Sequence, residues 1–372
     1  MSDRTAIIVG GSLTGLAAAI AIARCAVRVT VLEQTRSFER GGTGLGVDRA
    51  LLADVVGADP RTDAEQPHLP VIVTSRETST WHAIREWLLA LAARVDGIAF
   101  RDGVHVTGVG QDSLQATAST SAGDLQADVI IGADGYRSVV RRAVDASHPH
   151  AEFGGFVIWR GLVGEDVLPP ASPGGYLGGR LPDPEVARLV AYEVPGASGS
   201  TRRGERQITL AWYDASRTPW LRTQGILDGN EVTRSIEWAS VDERMRAELR
   251  AHAARAWKGR ARDVVLAAID RELLFGTPLT EYAPRRLANG RLAIIGDAAH
   301  VASPMVGYGL ALGWLDAGAL AAAITRAGET NAKALALYEH AQLHEAQAHV
   351  AESMSATRSL LAGVRQRDVA QK

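Results

Sequence analysis

The chain has 372 residues, of which 46% are hydrophobic, so it is long enough for two domains or for one large domain with an inserted module. Its formal net charge of −2 gives no bulk electrostatic case for binding nucleic acid or an anionic membrane surface. The single cysteine, Cys25, excludes internal disulfides, a CxxC redox pair and cysteine-rich metal sites.

The beginning of the chain reads as a strand, a glycine-rich turn, a helix, a second strand and an acid. The strand is predicted over 6–9, the helix over 13–24 and the second strand over 28–32. In that context Gly10 permits the tight turn and Gly15 lets the helix pack close to the strand, while the helix N-terminus offers N–H groups to a pyrophosphate. The segment therefore predicts a site for an adenine dinucleotide, either FAD or NAD.

This turn reads G-G-S-L-T-G, so Ser12 stands where the motif G-x-G-x-x-G has its middle glycine. Serine is small enough to keep the backbone approachable, and its hydroxyl can donate to a phosphate. An ordinary turn with chance glycines is the alternative, and the strand, helix and acid in register weigh against it. The residues predicted to contact the cofactor here are Gly10, Gly11, Ser12, Leu13, Thr14, Gly15, Glu33 and Gln34.

The next part of the chain is less regular. A polar, proline-bearing excursion over 58–79 contains one β-type run at 70–74, and an amphipathic helix is predicted over 81–95. Alternating runs at 105–110 and 114–120 indicate a small antiparallel sheet. A buried strand then ends at Gly132 and is followed by Asp134 and a helix that begins near Ser138, a position where doubly wound sheets bind ligands.

The pattern changes after residue 151, where strand-like runs are separated by turns rich in proline and glycine. This predicts an antiparallel sheet that collects much of the aromatic content, most of it as core and one or two rings as lining of a pocket. Two helices are predicted after it, over 242–257 and 262–269. Trp212 and Tyr213, with Pro304 and Met305 from a later loop, are predicted to line the substrate pocket.

A third segment with the pattern of a cofactor site begins at residue 290. A buried strand over 292–295 ends at Gly296 and Asp297, and a glycine-containing loop leads into a long apolar helix. The positive N-terminal end of that helix would stabilise a ring system that becomes anionic on reduction. A last helix over 331–361 carries three histidines whose spacing fits a solvated helix face, and no metal site is predicted.

Three segments in this order, GGSLTG, GADGYRSVVR and GDAAHVASPMVGYG, resemble the class A flavoprotein monooxygenases with the para-hydroxybenzoate hydroxylase-like fold. The segments GGSLTGL, TSTWHAIREWL, FVIWRGLV and ITLAWYD are most similar to the 2,6-dihydroxypyridine 3-monooxygenase-like branch. The resemblance implies a Rossmann-like FAD-binding domain of the glutathione-reductase type with an inserted antiparallel β-sheet domain and a C-terminal helix. It assigns 1–150 and 285–372 to the FAD-binding domain and 151–284 to the substrate domain.

The resemblance also implies roles for individual residues. The turn at 10–15 would hold the pyrophosphate and Glu33 the ribose, while Asp134 would belong to a motif shared by FAD and a visiting nicotinamide. The residues expected around the rest of the cofactor are Arg85, Asp297, Pro304, Gly307, Gly309 and Leu310. The family's usual G-Q-G-x is G-Y-G-L here, and the loop over 57–80 is short for the family.

The activity implied is hydroxylation of an electron-rich aromatic or N-heteroaromatic ring with NADH or NADPH and O₂, through a flavin C4a-hydroperoxide. A flavin oxidoreductase without oxygen insertion, such as a reductase or halogenase, and a non-catalytic FAD-binding protein are the alternatives. The residues that remain candidates for the activating base are Tyr176, Tyr192, Tyr213 and His82. A cytoplasmic enzyme is expected, without nucleic-acid or membrane partners, and a homodimer is left open.

Overall fold

The computed structural model describes residues 4–36, 43–62, 68–169, 188–305 and 307–370, and the side chains only as far as residue 363. The strands of this part are β1 Thr5–Val9, β2 Arg28–Glu33, β3 Gly44–Gly46, β4 Ile72–Val73, β5 Glu77–Thr80, β6 Ile98–Asp102, β7 Val106–Gln111, β8 Ala116–Thr120, β9 Leu125–Ala127, β10 Val129–Gly132, β11 Glu152–Gly164, β12 Arg188–Val194, β13 Gln207–Asp214, β14 Leu227–Asp228, β15 Glu231–Val232, β16 Leu274–Glu281, β17 Ala288–Asn289 and β18 Leu292–Ile294.

The helices are α1 Leu13–Ala23, α2 Arg49–Val56, α3 Trp81–Ala92, α4 Val139–Val144, α5 Thr218–Thr223, α6 Glu243–Ala256, α7 Gly259–Asp270, α8 Gly309–Ala327 and α9 Ala332–Ala370. Short 3₁₀ turns cover Glu165–Val167, Trp238–Ser240 and Gly296–Ala298.

The first unit of the fold is a six-stranded sheet in the order β17-β18-β10-β1-β2-β6, parallel except for the edge strand β17. Its central strands are nearly continuous apolar runs, as expected when helices cover both faces of a parallel sheet. Helix α1 is buried from Leu13 to Ala23 except at Thr14, and its alanines let α3 and α8 approach closely. The carboxyl ends of β1, β2, β10 and β18 therefore meet at one edge of the sheet.

The second unit is a largely antiparallel sheet in the order β12-β13-β11-β15-β14, with β16 also paired to β11. Because side chains alternate along a strand, the two faces differ. One face carries Trp159 and Trp212, which are buried against α6 and α7 in a single apolar cluster. The other face carries Phe156, Ile158 and Tyr213, which pack with Met305 from the loop before α8. We call this second side the cleft face.

A small sheet, β3-β5-β4, joins the two units. The Gly44 N–H donates to Thr209 Oγ1 of β13 at 3.0 Å, and the Tyr192 hydroxyl of β12 donates to the Gly44 carbonyl at 2.8 Å. The Thr78 hydroxyl donates to the Glu193 carbonyl at 2.8 Å. A side chain at Gly44 would overlap Val194 and Thr209, so a glycine is required where the strands cross. The second unit is thus attached to the first unit by direct hydrogen bonds.

The predicted fold class is confirmed, whereas the domain boundaries stay a prediction. The predicted β run over 70–74 is reduced to the two residues of β4, because Pro70 has no N–H for a ladder. One helix of the described residues, α8, has the length and apolar composition of a membrane span. It packs between α1 and α9 and carries the buried Asp316, as does a core helix of a soluble protein.

Candidate active site

The glycine turn after β1 has the geometry that the sequence predicts. Gly10 has φ +106°, and a Cβ there would lie 2.3 Å from the Ala133 carbonyl oxygen. A Cβ at Gly15 would lie 2.0 Å from the Gly10 carbonyl oxygen, so both positions need glycine. Ser12 is the N-cap residue of α1, and its hydroxyl makes no capping hydrogen bond. The first N–H groups of α1 therefore receive no hydrogen bond from the Ser12 hydroxyl, which leaves them available to an anion.

Glu33 and Arg85 are brought to the same turn. The Glu33 carboxylate accepts hydrogen bonds from the N–H groups of Gly11 and Thr35, both at 2.8 Å. Arg85 of α3 donates from Nε to the Gly11 carbonyl at 3.2 Å. Burial lowers the Arg85 pKa, and the nearby Glu33 opposes that shift. An acid from β2 and a cation from α3 are thus both placed at the first turn.

Asp134 follows β10, and its carboxylate is used within the protein. It accepts from the Ser138 hydroxyl at 2.5 Å and from the Val139 N–H at 2.7 Å, which caps the start of α4. Burial raises the Asp134 pKa, and these hydrogen bonds oppose the shift. Its observed role is therefore to anchor a helix, and a contact with the cofactor stays a prediction.

Asp297 follows β18 in the 3₁₀ turn Gly296–Ala298, and its carboxylate makes no hydrogen bond or ion pair with any described residue. It is reached by water, yet the protein around it raises its pKa, an effect opposed by His300, Arg160 and Arg141. A Cβ at Gly296 would lie 2.9 Å from the Thr14 hydroxyl of α1, so the turn packs directly on the first segment. The sheet edge therefore presents one carboxylate with free acceptor positions.

Beneath this turn lies a buried ion pair. His300 Nε2 is 2.6 Å from Asp316 Oδ2 of α8, and the same oxygen accepts the Gly296 N–H at 2.8 Å. Burial opposes protonation of His300, but Asp316 outweighs it and raises the His300 pKa. Both side chains are closed to solvent, so this pair holds the turn against α8.

The loop that precedes α8 is open where a flat ring would lie. Gly307 has φ +72°, a conformation that other residues adopt only with strain, and a Cβ at Gly309 would meet no atom within 4 Å. Pro304 is exposed, and Met305 packs against the cleft face. Leu310 lies in the first turn of α8 and is partly buried against the nucleotide unit.

The cleft face of the second unit holds a cation that the sequence analysis does not single out. Arg160 of β11 shares this face with Ile158 and is paired in register with Ala211 and Phe275. Its Nε is buried without a hydrogen-bond partner. An arginine inside the apolar run F-V-I-W-R-G-L-V, in phase with Phe156 and Ile158, is the signal that could have identified it.

The other residues predicted to contact the substrate or to act as the base lie in different places. Trp212 is fully buried against Trp257 on the side of the sheet that the helices cover, so it does not line the cleft. Because adjacent residues of a strand face opposite sides, its neighbour Tyr213 lies on the cleft face. Tyr192 donates its hydroxyl to Gly44. His82 is exposed on α3 and pairs with Glu86 at 2.9 Å. Tyr176 lies outside the described residues.

These residues fit a dinucleotide that carries a sugar-alcohol chain and a flat ring. The glycine turn suits a pyrophosphate, the free Asp297 carboxylate suits hydroxyl groups, and Gly309 has open space where a side chain would stand. Within the described ranges, no cluster of three or more histidine, cysteine or acidic side chains could hold a metal ion.

Comparison with known proteins supports the same cofactor. Residues 230–353 match the model of an FAD binding domain. The chain is 24% identical to 3-hydroxybenzoate 6-hydroxylase of Klebsiella oxytoca over 374 aligned residues, covering 91% of this chain and 84% of that protein. It is 26% identical to 2,6-dihydroxypyridine 3-monooxygenase of Paenarthrobacter nicotinovorans, covering 94% of this chain and 89% of that protein.

Solved structures establish the fold. The 2,6-dihydroxypyridine-3-hydroxylase of Arthrobacter nicotinovorans superposes with a TM-score of 0.76 at 22% identity, covering 96% of this chain and 93% of that one. Klebsiella pneumoniae HpxO, solved with FAD and uric acid, gives a TM-score of 0.68 at 20% identity, covering 98% of this chain and 92% of that one. The resemblance that the sequence motifs indicated is confirmed by these relatives.

Proposed function

We propose that this chain is an FAD-dependent monooxygenase that hydroxylates an electron-rich aromatic or N-heteroaromatic ring, with NAD(P)H and O₂ as co-substrates. The observation that carries the proposal is the opposition of two surfaces. On one side a dinucleotide turn and the unpartnered Asp297 carboxylate share a sheet edge. On the other, an apolar sheet face with Phe156, Ile158 and Tyr213 buried in it leaves Val190, Ala211 and Met305 partly accessible to a flat substrate.

Different residues of the chain would bind different parts of FAD. The turn from Gly10 to Gly15 and the N-terminus of α1 would bind the pyrophosphate, with Glu33 and Arg85 beside them. Asp297 would accept hydroxyl groups of the sugar-alcohol chain, and the glycine loop would lie against the ring. When bound, FAD supplies the chemistry that takes electrons from NAD(P)H and activates O₂.

The substrate side of the cleft orients the ring and excludes water. Phe156, Ile158 and Leu279 form the buried base of this face, and the partly buried Val190, Ala211 and Met305 pack against them. Burial raises the Tyr213 pKa to about 12, so this phenol stays protonated at neutral pH. Tyr213 is therefore suited to donate a hydrogen bond to a substrate oxygen, and it is a poor choice for a general base.

We include in this proposal a nicotinamide cofactor as the electron donor and a cytoplasmic location for the enzyme. The described residues form one nucleotide-binding unit of this type, which supports a nicotinamide cofactor that docks only transiently. The lone Cys25 and the packing of α8 within the fold support a cytoplasmic location.

The test is turnover of the FAD-loaded protein with NADH or NADPH, with and without 2,6-dihydroxypyridine, 3-hydroxybenzoate and related phenols. We expect at least one ring to stimulate NAD(P)H oxidation and to gain one oxygen atom from isotopically labelled O₂. Oxidation that yields hydrogen peroxide with every ring and never a hydroxylated product would favour a flavin oxidoreductase without oxygen insertion. FAD binding without any NAD(P)H oxidation would favour a non-catalytic FAD-binding protein.

A further inference from the structure

Helix α9 carries a line of three polar side chains that the proposed function does not use. His349, Ser353 and Thr357 follow one another at intervals of four residues, so they lie along one side of the helix. Ser353 and Thr357 are fully buried, at 0% and 1% exposure. Burying a hydroxyl group is costly unless it is hydrogen-bonded, so the partners of these two side chains indicate what the helix holds in place.

Ser353 contacts the beginning of the loop that precedes α8. The Ser303 N–H donates to Ser353 Oγ at 2.6 Å, and the Ser303 hydroxyl in turn accepts the Met305 N–H at 3.4 Å. Ser303 is itself 1% exposed, and its N–H has no other acceptor among the described residues. The buried hydroxyl of Ser353 therefore fixes this end of the loop to α9.

His349 contacts the other end of the same loop. Its ring centroid is 5.9 Å from that of Tyr308, the residue directly before α8, and the two ring planes are tilted by 33°. Between the two contacts lie Pro304, Met305 and Gly307, where the flat ring of the cofactor is expected to bind. One side of α9 thus contacts the loop on both sides of the segment that would lie against the ring.

The same helix also contacts the second unit. The Thr357 hydroxyl donates to Glu281 of β16 at 2.6 Å. Leu360 and Leu361, in the following turn of α9, pack against the cluster of the cleft face to which Met305 also belongs. Helix α9 therefore connects the loop before α8 with the sheet of the second unit, the two surfaces between which cofactor and substrate would meet.

We propose that Ser353 is a positioning residue, through which α9 holds the loop before α8 where its backbone contacts the flavin ring and Met305 contacts the substrate. This inference rests on the proposed function. A loop that moved away would admit water to the ring, and turnover would become uncoupled from hydroxylation. In uncoupled turnover NAD(P)H, a proton and O₂ are converted to NAD(P)⁺ and hydrogen peroxide. Ser353 would therefore act on the fate of the oxygen without touching the substrate.

Thr357 provides the matched control for Ser353. It lies one turn further along the same helix, it is equally buried, and its hydroxyl is also hydrogen-bonded. Its partner Glu281 belongs to the sheet and not to the loop. Ser353→Ala and Thr357→Val should each lower the thermal stability, because each leaves a buried polar group without its partner. Only Ser353→Ala should release the loop.

The experiment compares the two variants with the wild-type protein after loading with FAD. Three quantities are measured: amide hydrogen exchange over 303–309, the rate of FAD release, and the share of consumed NAD(P)H that appears as hydrogen peroxide with the best aromatic substrate. The loss of one buried hydrogen bond should increase the population of the released loop about 5- to 10-fold. All three quantities should rise by about that factor in Ser353→Ala, and they should stay within about twofold of wild type in Thr357→Val.

A folded, FAD-loaded Ser353→Ala with unchanged FAD release and an unchanged share of hydrogen peroxide overturns the inference. So does an equal rise in Thr357→Val, because it would mean that any loosening of α9 has this effect. If Ser353→Ala does not fold, His349→Ala releases the other end of the loop at a partly exposed position, and an unchanged share of hydrogen peroxide there overturns the inference. A wild-type protein that oxidises no NAD(P)H counts against the proposed function, and FAD release and amide exchange then decide the role of Ser353.

Discussion

Asp134 and Asp297 can be compared because each follows a glycine at the end of a central parallel strand, and desolvation by the surrounding protein raises the pKa of both. The Asp134 carboxylate accepts hydrogen bonds from Ser138 and Val139 at the start of α4. The Asp297 carboxylate has no partner among the described residues. One acid is thus used to build the fold, and the other is left free to bind. Their local sequences, G-A-D-G and G-D-A-A, do not reveal this difference.

The largest effect is expected when the free acid is removed. Asp297→Ala should weaken FAD binding by about 10- to 100-fold, because charge-assisted hydrogen bonds are worth roughly 1.5–3 kcal/mol. Fluorescence titration of the apo protein with FAD measures this, and thermal unfolding of the apo protein should be no lower than in the wild type. Unchanged FAD affinity in a folded variant would remove Asp297 from the cofactor site.

Removing the Asp134 carboxylate should lower the stability of the folded protein. Asp134→Ala leaves the Ser138 hydroxyl and the Val139 N–H without their acceptor, so we expect a loss of about 1–2 kcal/mol in the free energy of unfolding. Asp134→Asn, which keeps an acceptor oxygen, should lose less. Denaturant unfolding of the apo protein measures both. If Asp134→Ala were as stable as wild type, the capping role would be wrong.

The smallest effect concerns the charge of Asp297 in the apo protein. Desolvation by the surrounding protein raises its pKa above the ordinary value of 3.8, so the unfolded chain loses this proton at lower pH than the folded protein does. Ionisation therefore destabilises the apo fold as the pH rises above that value. Asp297→Asn should stabilise the apo protein at neutral pH, by less than about 1 kcal/mol because the group is water-accessible.

The same stabilisation should shrink as the pH is lowered through the raised pKa of the folded protein, and it should vanish below the ordinary carboxyl pKa, where both states are protonated. Thermal unfolding of the apo variants between neutral and mildly acidic pH measures this, with Asp134→Asn run in parallel. A gain that stays constant over this range would mean that the charge of Asp297 is not its source.

The sequence predicted the nucleotide unit well because its constraints are local. Strand, turn and helix follow from a few consecutive residues. The glycine pattern itself indicates that Gly10 and Gly15 are needed where backbone segments approach closely. The substrate sheet was harder, since both of its faces are apolar and aromatic. The local sequence does not indicate which face of the sheet meets the cleft. The prediction therefore places Trp212 in the pocket together with its strand neighbour Tyr213, although the two face opposite sides. Arg160 and the roles of the two acids needed tertiary contacts.

The small sheet around Gly44 has a mechanical consequence for the path of the substrate. It fixes the two units to each other, because three hydrogen bonds connect them: from Gly44 to Thr209, from Tyr192 to Gly44 and from Thr78 to Glu193. Swinging the units apart would break these bonds together, at about 1 kcal/mol net for each. We therefore expect the two sheets to keep a fixed spacing through turnover, so that substrate and product pass through movements of loops between them.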